Sequence, residues 1–343
     1  MLKKMGFQQS AHEAAVYRRG SREDLLLVGV YVDDLIITGA DGREVEEFKA
    51  AMKDRFEMSD LGLFYLGVEV CQDAKGITLC QSNYAQHILE LGNMQGCNPA
   101  ATSMEKLKLS RESTAEEVDA TLYRRLMGSL RYLVHTRPDL AFAVGYLSRF
   151  MQRPTVEHQQ ATKRVLHYVA GTLDYGLHYG KAPNTARFIG YSDSDLAGDV
   201  DTSKSTSGTM FFLGSCLVCW QSVKQKVVAL SSCEAEYIAA TTASTQALWL
   251  ARLLGELLGR EVEVVELRVD SKSALTLAKN PVFHDRSKHI RTKFHFIRDC
   301  LEEGSIKTSH IPTADQLADI LTKSLGKAKF QEMRERIGLK KIV

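Results

Sequence analysis

The 343-residue chain has no apolar run long enough to cross a membrane, and Met1-Leu2-Lys3-Lys4 is not followed by the apolar core of a signal peptide. These absences predict an intracellular protein, cytoplasmic or nuclear, with no membrane partner. Net charge is nearly absent too: 44 Lys and Arg against 42 Asp and Glu leave +2. The molecule as a whole is therefore not a strong polyanion binder, although a local basic face stays open. Cysteine is sparse, with seven residues scattered along the chain. An odd count argues against a disulfide framework and for a reducing compartment. Cys216-Leu217-Val218-Cys219 has no second pair to complete a zinc site, and its β-type apolar setting marks it as structural. Repeats and low-complexity tracts are missing. What remains, 44% hydrophobic and 25% charged residues, is ordinary for a soluble globular protein long enough for two or three domains.

Along the chain, residues 24–38 read as a β-hairpin and 43–57 as a helix. A second hairpin turns at Asp73-Ala74-Lys75-Gly76 and leads into another helix. Residues 98–103, "NPAATS", form a linker. From about 116 to 170 the pattern is helical, broken at Arg137-Pro138 and Arg153-Pro154. The turn-rich "GTLDYGLHYGKAPNTA" marks a boundary near 180. After it come three short strands, a long helix from Ser232 to about Gly255, a strand ending at Asp270 and a helix from Ser271. A basic helix over about 287–302, a last strand and a helix beginning after Thr313 complete the order. That order predicts an α/β class, a mixed sheet flanked by helices.

The first hairpin carries Asp33 and Asp34 at its tip, in "VGVYVDDLIITGA". Adjacent carboxylates repel, so such a pair usually serves a divalent cation. Two-metal chemistry needs a further carboxylate from another strand.

The C-terminal part offers more. Asp270 ends a strand, where α/β sheets bind ligands. The long helix has an apolar stripe at Ala240, Ala243, Ala247, Leu250, Leu254 and Leu257, and four residues back along that stripe stands Glu236. A carboxylate on the face meant for the sheet is costly unless it is used. Glu234 instead fits a capping box with Ser231. Asp193 and Asp195, two apart in a strand, point to one face, and either is a candidate ligand. Asp319 lies one turn beyond the helix start suggested by Thr313 and Gln316, whereas Asp315 simply complements the helix dipole. Carboxylates from a strand, a strand end and two helix starts are what a two-metal phosphodiester hydrolase requires.

Five segments, "GYSDSDLAGDVDTSKSTSG", "SSCEAEYIAA", "RVDSKSALTLAKNP", "SKHIRTKFHFIRD" and "HIPTADQLADILTKSL", resemble in order the ribonuclease H domain of copia-type retrotransposon polyproteins. "YVDDLIITG", "DLGLFYLGVEV" and "YRRLMGSLRYLVHTRPDLAFAVGYLSRFM" resemble the palm tip, thumb and connection of the same polyproteins' reverse transcriptase. The resemblance implies a partial palm over 1–60, a thumb-like region over 61–103, a helical connection over 104–180 and a ribonuclease H-like domain with a five-stranded mixed sheet over 181–343. It places the metal carboxylates at Asp193, Glu236, Asp270 and Asp319, and a loop histidine that helps product or proton release at His310. Many ribonucleases H have Asp-Gly-Ser at the first carboxylate; this chain has Asp193-Ser194-Asp195.

The implied activity is cleavage of the RNA strand of RNA–DNA hybrids with two Mg²⁺ or Mn²⁺ ions. The hybrid would be recognised by groove shape and 2′-hydroxyls, with Ser192, Ser194 and Ser271 beside the carboxylates. Arg286, Lys288, Arg291 and Lys293, with Arg298 in the same basic run, would follow backbone phosphates. His289 and His295 lack the company of a metal site, and Trp220 and Trp249 fit core positions. Asp33 and Asp34 read as a vestigial polymerase pair, because the strand bearing their third aspartate is expected upstream of this chain. Polymerisation then needs the missing polymerase portion from another polypeptide, and a homodimer is the other partner left open. A catalytically silent nucleic-acid-binding remnant is the alternative function.

Overall fold

The computed structural model describes residues 1–181, 187–279, 290 and 292–342, which form three β-sheets among them. The first sheet is an antiparallel meander of β1 (Gln8–Gln9), β2 (Val16–Arg19), β3 (Leu26–Tyr31) and β4 (Asp34–Gly39). Helix α1 (Gly42–Lys53), capped by Asp41 on the Arg43 N–H, covers it. Together they enclose a small core of Phe7, Leu26, Val28, Phe48 and Met52. At the expected hairpin tip, Tyr31 pairs with Asp34, and Val32 takes a left-handed φ of 52°.

The second sheet has the order β14-β8-β7-β6-β5. The expected hairpin supplies β6 (Val68–Gln72) and β7 (Gly76–Cys80), with the short β5 (Phe64–Tyr65) on one side. Its other neighbour corrects the sequence reading. The turn-rich stretch before 180 contains a strand, β8 (Tyr175–Gly180), which pairs with both β7 and β14 (Leu339–Lys341). Its glycines are there for proximity as well as for turning. A Cβ at Gly176 would lie 2.6 Å from Thr78 Cγ2 and 3.0 Å from the Leu79 carbonyl oxygen. Alternating Gly with Tyr and Leu thus reads as turns in the sequence and packs as a strand.

Helices α2 (Ser82–Leu91), α3 (Ala120–Leu133), α4 (Ala141–Leu147) and α5 (Val156–Ala170) follow the expected breaks. Pro138 opens a short 3₁₀ turn, and Thr155 forms a reciprocal capping box with His158 just after Pro154. They build a core with Met127, Leu130, Leu140, Leu147 and Tyr168 at its centre. Beneath it lies a buried polar knot. Arg137 makes two bonds to the Asp139 carboxylate, at 3.0 and 2.8 Å, and donates to the Thr172 carbonyl. The Tyr168 hydroxyl donates to the same carboxylate at 2.5 Å.

The third sheet is five-stranded and mixed, as expected. Its order is β11-β10-β9-β12-β13. Strands β9 (Phe188–Ser194), β10 (Thr206–Leu213) and β11 (Cys216–Lys224) are antiparallel, and β12 (Val265–Val269) and β13 (Ile306–His310) run parallel to β9. One face packs through Phe188, Phe211, Leu267 and Val269 on α6 (Ser232–Leu258), with α7 (Lys272–Lys279) and α8 (Phe296–Glu302) beyond. The other face, through Tyr191, Met210, Phe212 and Leu217, belongs to the core of the preceding helices. Burial on both faces explains why "TMFFL" is continuously apolar rather than alternating.

Two further expectations change. No α-helix follows Thr313: the chain makes two short 3₁₀ turns, Thr313–Asp315 and Leu317–Leu321, before α9 (Lys327–Arg336). Gln316 is the reason, because its side chain caps the second turn and cannot also close a box on Thr313. Trp220 sits against the core and donates to the Val134 carbonyl oxygen at 3.1 Å. Trp249 is 36% exposed and clamps the N-terminal segment instead, donating to the His12 carbonyl oxygen at 3.0 Å. The part of the basic helix at 287–289 and 291 lies outside the described residues. All seven cysteines are free, Cys216 and Cys219 both lying on β11, and no helix among the described residues is long and apolar enough to cross a membrane.

Candidate metal centre

Parallel pairing of β9 with β12 puts Ser192 opposite Val269, so the next residues, Asp193 and Asp270, emerge side by side at the same sheet edge. Helix α6 begins above that edge. Its N-cap Ser231 accepts the Glu234 N–H at 3.1 Å, and the Glu234 carboxylate accepts the Leu230 N–H at 2.8 Å. Glu234 is thus spent on the cap, as its spacing indicated. Glu236, further into the first turns, faces the sheet. One ligand oxygen each from Asp193, Glu236 and Asp270 lies within 4.8 Å of the others. Asp193 and Glu236 are buried and Asp270 is half-buried.

The fourth carboxylate arrives on the turn Leu317–Leu321, which is tied down by side chains that the sequence reading did not assign. Gln316, fully buried, donates from Nε2 to the Ser192 carbonyl oxygen at 2.8 Å and accepts the Ala318 N–H. The Thr322 hydroxyl donates to Asp193 Oδ2. Lys323 Nζ stands 2.8 Å from Asp319 Oδ1 and 3.7 Å from Asp193 Oδ2. Close approach of this turn needs Gly208, opposite Asp193 on β10, since a Cβ there would meet the Ala318 carbonyl oxygen and Leu321 Cβ at 2.9 Å. The i, i+4 spacing of Asp319 and Lys323 was the available sequence signal for the lysine. Local spacing had marked Gln316 only as a helix-start residue, and nothing local points to its bond with Ser192 or to Gly208.

The electrostatics follow from this crowding. Burial, and then the neighbouring charges of Asp193 and Asp270, push the Glu236 carboxyl well above its ordinary range. Burial and Asp193 raise Asp319, against the opposing pull of Lys323. Glu236 Oε1 accepts the Ser194 N–H at 3.3 Å, but its Oε2 is buried with no hydrogen-bond partner among the described residues. Such an orphaned buried oxygen, set in a group of carboxylates, fits a divalent cation.

Asp195 is separated from this group. Strand β9 ends at Ser194, and the Asp195 carboxylate accepts the Thr206 N–H at 2.5 Å in the loop beyond. Burial raises its carboxyl to about 6. The Ser192 hydroxyl is buried without a hydrogen-bond partner among the described residues, and that of Ser271 caps the Ala274 N–H. His310 is exposed at the end of β13, in register with Val269.

Asp33 is exposed and Asp34 half-buried at their hairpin tip. They do not join a third carboxylate, histidine or cysteine there: among the described residues the only group of three with converging ligand atoms is Asp193, Glu236 and Asp270. Of the basic run, Arg286, Lys288 and Arg291 lie outside the described residues, as does His289. Lys293 is exposed, with its ammonium 4.9 Å from the Phe294 ring centroid. Arg298, expected in the same basic run, is instead buried and donates to the Leu277 carbonyl oxygen at 3.2 Å. His295 hydrogen-bonds the Tyr237 hydroxyl at 3.0 Å, which agrees with its exclusion as a ligand.

Residues 1–106 match the family model described as reverse transcriptase (RNA-dependent DNA polymerase). The Pol polyprotein of transposon RE2 from Arabidopsis thaliana is 40% identical over 342 residues, which is 98% of this chain and 23% of that polyprotein. The chain therefore spans about a quarter of the length of this curated relative. The putative transposon Ty5-1 protein YCL074W of Saccharomyces cerevisiae is 30% identical over 246 residues, covering 70% of this chain and 80% of that protein. Among solved structures, the N-terminal ribonuclease H domain of a Mycobacterium tuberculosis protein aligns with 44% of this chain and 97% of its own, at 12% identity and a TM-score of 0.29. On the strength of the sequence relatives and the order of its motifs, the chain belongs to the copia-type retrotransposon Pol polyprotein family.

Proposed function

We propose that this chain hydrolyses the RNA strand of RNA–DNA hybrids, using Mg²⁺ or Mn²⁺ held by Asp193, Glu236, Asp270 and Asp319. The observation that carries the reading is the convergence of the first three carboxylates within 4.8 Å, with Glu236 Oε2 buried and unpartnered. A divalent cation pair in such a site supplies an activated water and neutralises the charge that develops on the leaving oxygen. The protein's own part is orientation. The Thr322 hydroxyl and the Ser194 N–H hold the Asp193 and Glu236 carboxylates, and the sheet edge fixes Asp270 beside them. His310, exposed at the end of β13, would help product leave. Lys293, with Arg286, Lys288 and Arg291, would follow the hybrid's phosphates and make affinity fall with salt.

The same reading treats 1–60 as palm, 61–103 as thumb-like, 104–180 as connection and 181–343 as the ribonuclease H domain. The test is a labelled hybrid incubated with Mg²⁺ or Mn²⁺ and the native chain, Asp193→Asn or Asp270→Asn. Cleavage by the native chain and its loss in both variants is expected; equal cleavage by all three would refute the assignment.

A further inference from the structure

The stretch "SDSDLAGDVDTSKSTSG" carries three more aspartates than the metal centre uses. They lie in the loop from 195 to 205, which leaves β9 directly after Asp193 and Ser194 and returns as β10. This loop is strained and heavily tied. Ala197 and Ser203 take left-handed φ values of 52° and 53° without being glycine. Thr206 closes it: its N–H is accepted by Asp195 Oδ1, and its carbonyl oxygen accepts the Asp195 N–H at 3.2 Å and the Ser194 hydroxyl at 3.3 Å.

What holds Thr206 comes from another part of the chain. Arg149, in the 3₁₀ turn Ser148–Phe150 after α4, donates from Nη2 to Thr206 Oγ1 at 2.9 Å and from Nη1 to Asp199 Oδ2 at 3.2 Å. Its side chain is 8% exposed and that of Asp199 is 5% exposed. The Tyr146 ring backs the guanidinium at 4.8 Å, and Lys224 Nζ completes the Asp199 carboxylate at 3.0 Å. A second tie runs parallel to the first. The Ser110 hydroxyl and the Arg111 N–H donate to Asp201 at 2.5 and 3.0 Å, and Arg111 Nε donates to the Arg149 carbonyl oxygen at 3.2 Å.

We infer that Arg149 is a positioning residue for the metal centre, clamping the loop that follows Asp193 and thereby setting how Glu236, through the Ser194 N–H, and the adjoining Asp193 meet the cation. The route is a short series of hydrogen bonds: Arg149 to Thr206, Thr206 to Asp195 and Ser194, and Ser194 N–H to Glu236 Oε1. The helical segment between 104 and 150 is on this account part of the nuclease. The inference rests on the function proposed above.

The test uses the full chain and Mn²⁺ alone, with titration calorimetry on native protein, Arg149→Met, Arg149→Lys and Thr206→Val. Thr206→Val removes the hydroxyl without stranding a buried charge, so it remains informative should Arg149→Met fail to fold. Loss of the clamp weakens Mn²⁺ binding about tenfold to a hundredfold, in line with residues that orient metal ligands, and Arg149→Lys recovers part of it. Hydrogen exchange at the Asp195 and Thr206 amides becomes roughly tenfold faster in Thr206→Val, while α6 is unchanged. Native binding of Mn²⁺ with the same affinity and the same exchange in the variants overturns the clamp alone. A native chain that binds no Mn²⁺, or binds it equally well after Asp193→Asn, overturns the nuclease reading and the clamp with it.

Discussion

Lys323 Nζ lies 2.8 Å from Asp319 Oδ1, four residues away along the chain, and stands as the positive charge at the rim of the carboxylate group. Its removal leaves Asp319 buried beside Asp193 with no ion-pair partner among the described residues. Lys323→Met is expected to destabilise the metal-free chain by roughly 1–3 kcal/mol, less than a fully buried ion pair because water reaches the ammonium. Urea unfolding in EDTA measures this, and an unchanged midpoint would show that the pair is solvated away.

The carboxylate group makes stability depend on pH in an unusual sense. Burial raises Glu236 and Asp319, and lifts Asp195 to about 6. In the unfolded chain these carboxyls ionise near pH ~4. Between there and their raised native values, the folded chain holds more protons than the unfolded one. Their contribution is thus favourable at low pH and is lost as pH rises above about 4. A divalent cation binds the ionised form and offsets the loss. Mn²⁺ is expected to raise Tm by more at pH 8 than at pH 6. Equal increments at both values would contradict the assignment of these shifts.

Glu236→Gln separates catalysis from folding. The amide keeps a carbonyl oxygen for the Ser194 N–H and removes a carboxyl that burial and its neighbours force to hold its proton in the metal-free fold. The metal-free variant is expected to melt a few degrees above the native chain, yet to gain less from Mn²⁺ and to lose hybrid cleavage by about a hundredfold or more. A variant that melts lower in EDTA would mean that Glu236 is structural.

Asp139 tests the core beneath the helices. It accepts two bonds from Arg137 and one from Tyr168, all buried. Asp139→Ala strands the Arg137 charge and is expected to cost about 3–5 kcal/mol. Denaturant unfolding followed by helical circular dichroism reads this loss. A cost below 1 kcal/mol would show that Thr172 and water suffice for the guanidinium.

The first sheet is the weakest unit. Its core has five buried apolar side chains, whereas the helical core runs from Ala85 to Leu339. Tyr31, Val32 and Ile36 are exposed along its hairpin. Amides of β2–β4 are expected to exchange faster than those of β9, β10 and β12. Equal protection would show that contacts such as Ser10 with Glu256 and Trp249 with His12 bind this sheet as firmly as its own core would.

Local signals carried far in this chain. The stripe that singled out Glu236 over Glu234 is a matter of helical period, and Ser231 with Glu234 is a matter of capping; both operate within one turn of backbone and can be read without a fold. The same holds for the hairpins at Asp33-Asp34 and Asp73–Gly76, and for the helix breaks at Pro138 and Pro154. Reading failed where a residue's partner is remote. Strand β8 was hidden because its Gly176 answers to Thr78 and Leu79, almost a hundred positions away. The helix expected after Thr313 was lost because Gln316 bonds to Ser192, 124 residues back.

By itself the sequence determined the kinds of element, their order, and which carboxylates sit where an ordinary structural role would be costly, because propensity, period and capping act over a few residues. Only the tertiary structure decided that three of those carboxylates share one point, that Thr322, Lys323 and Gly208 serve it, and that Arg149 grips the loop beside it. Those relations depend on the parallel register of β9 with β12 and on two-sided burial of the sheet, and long-range pairing leaves no periodic trace in the chain.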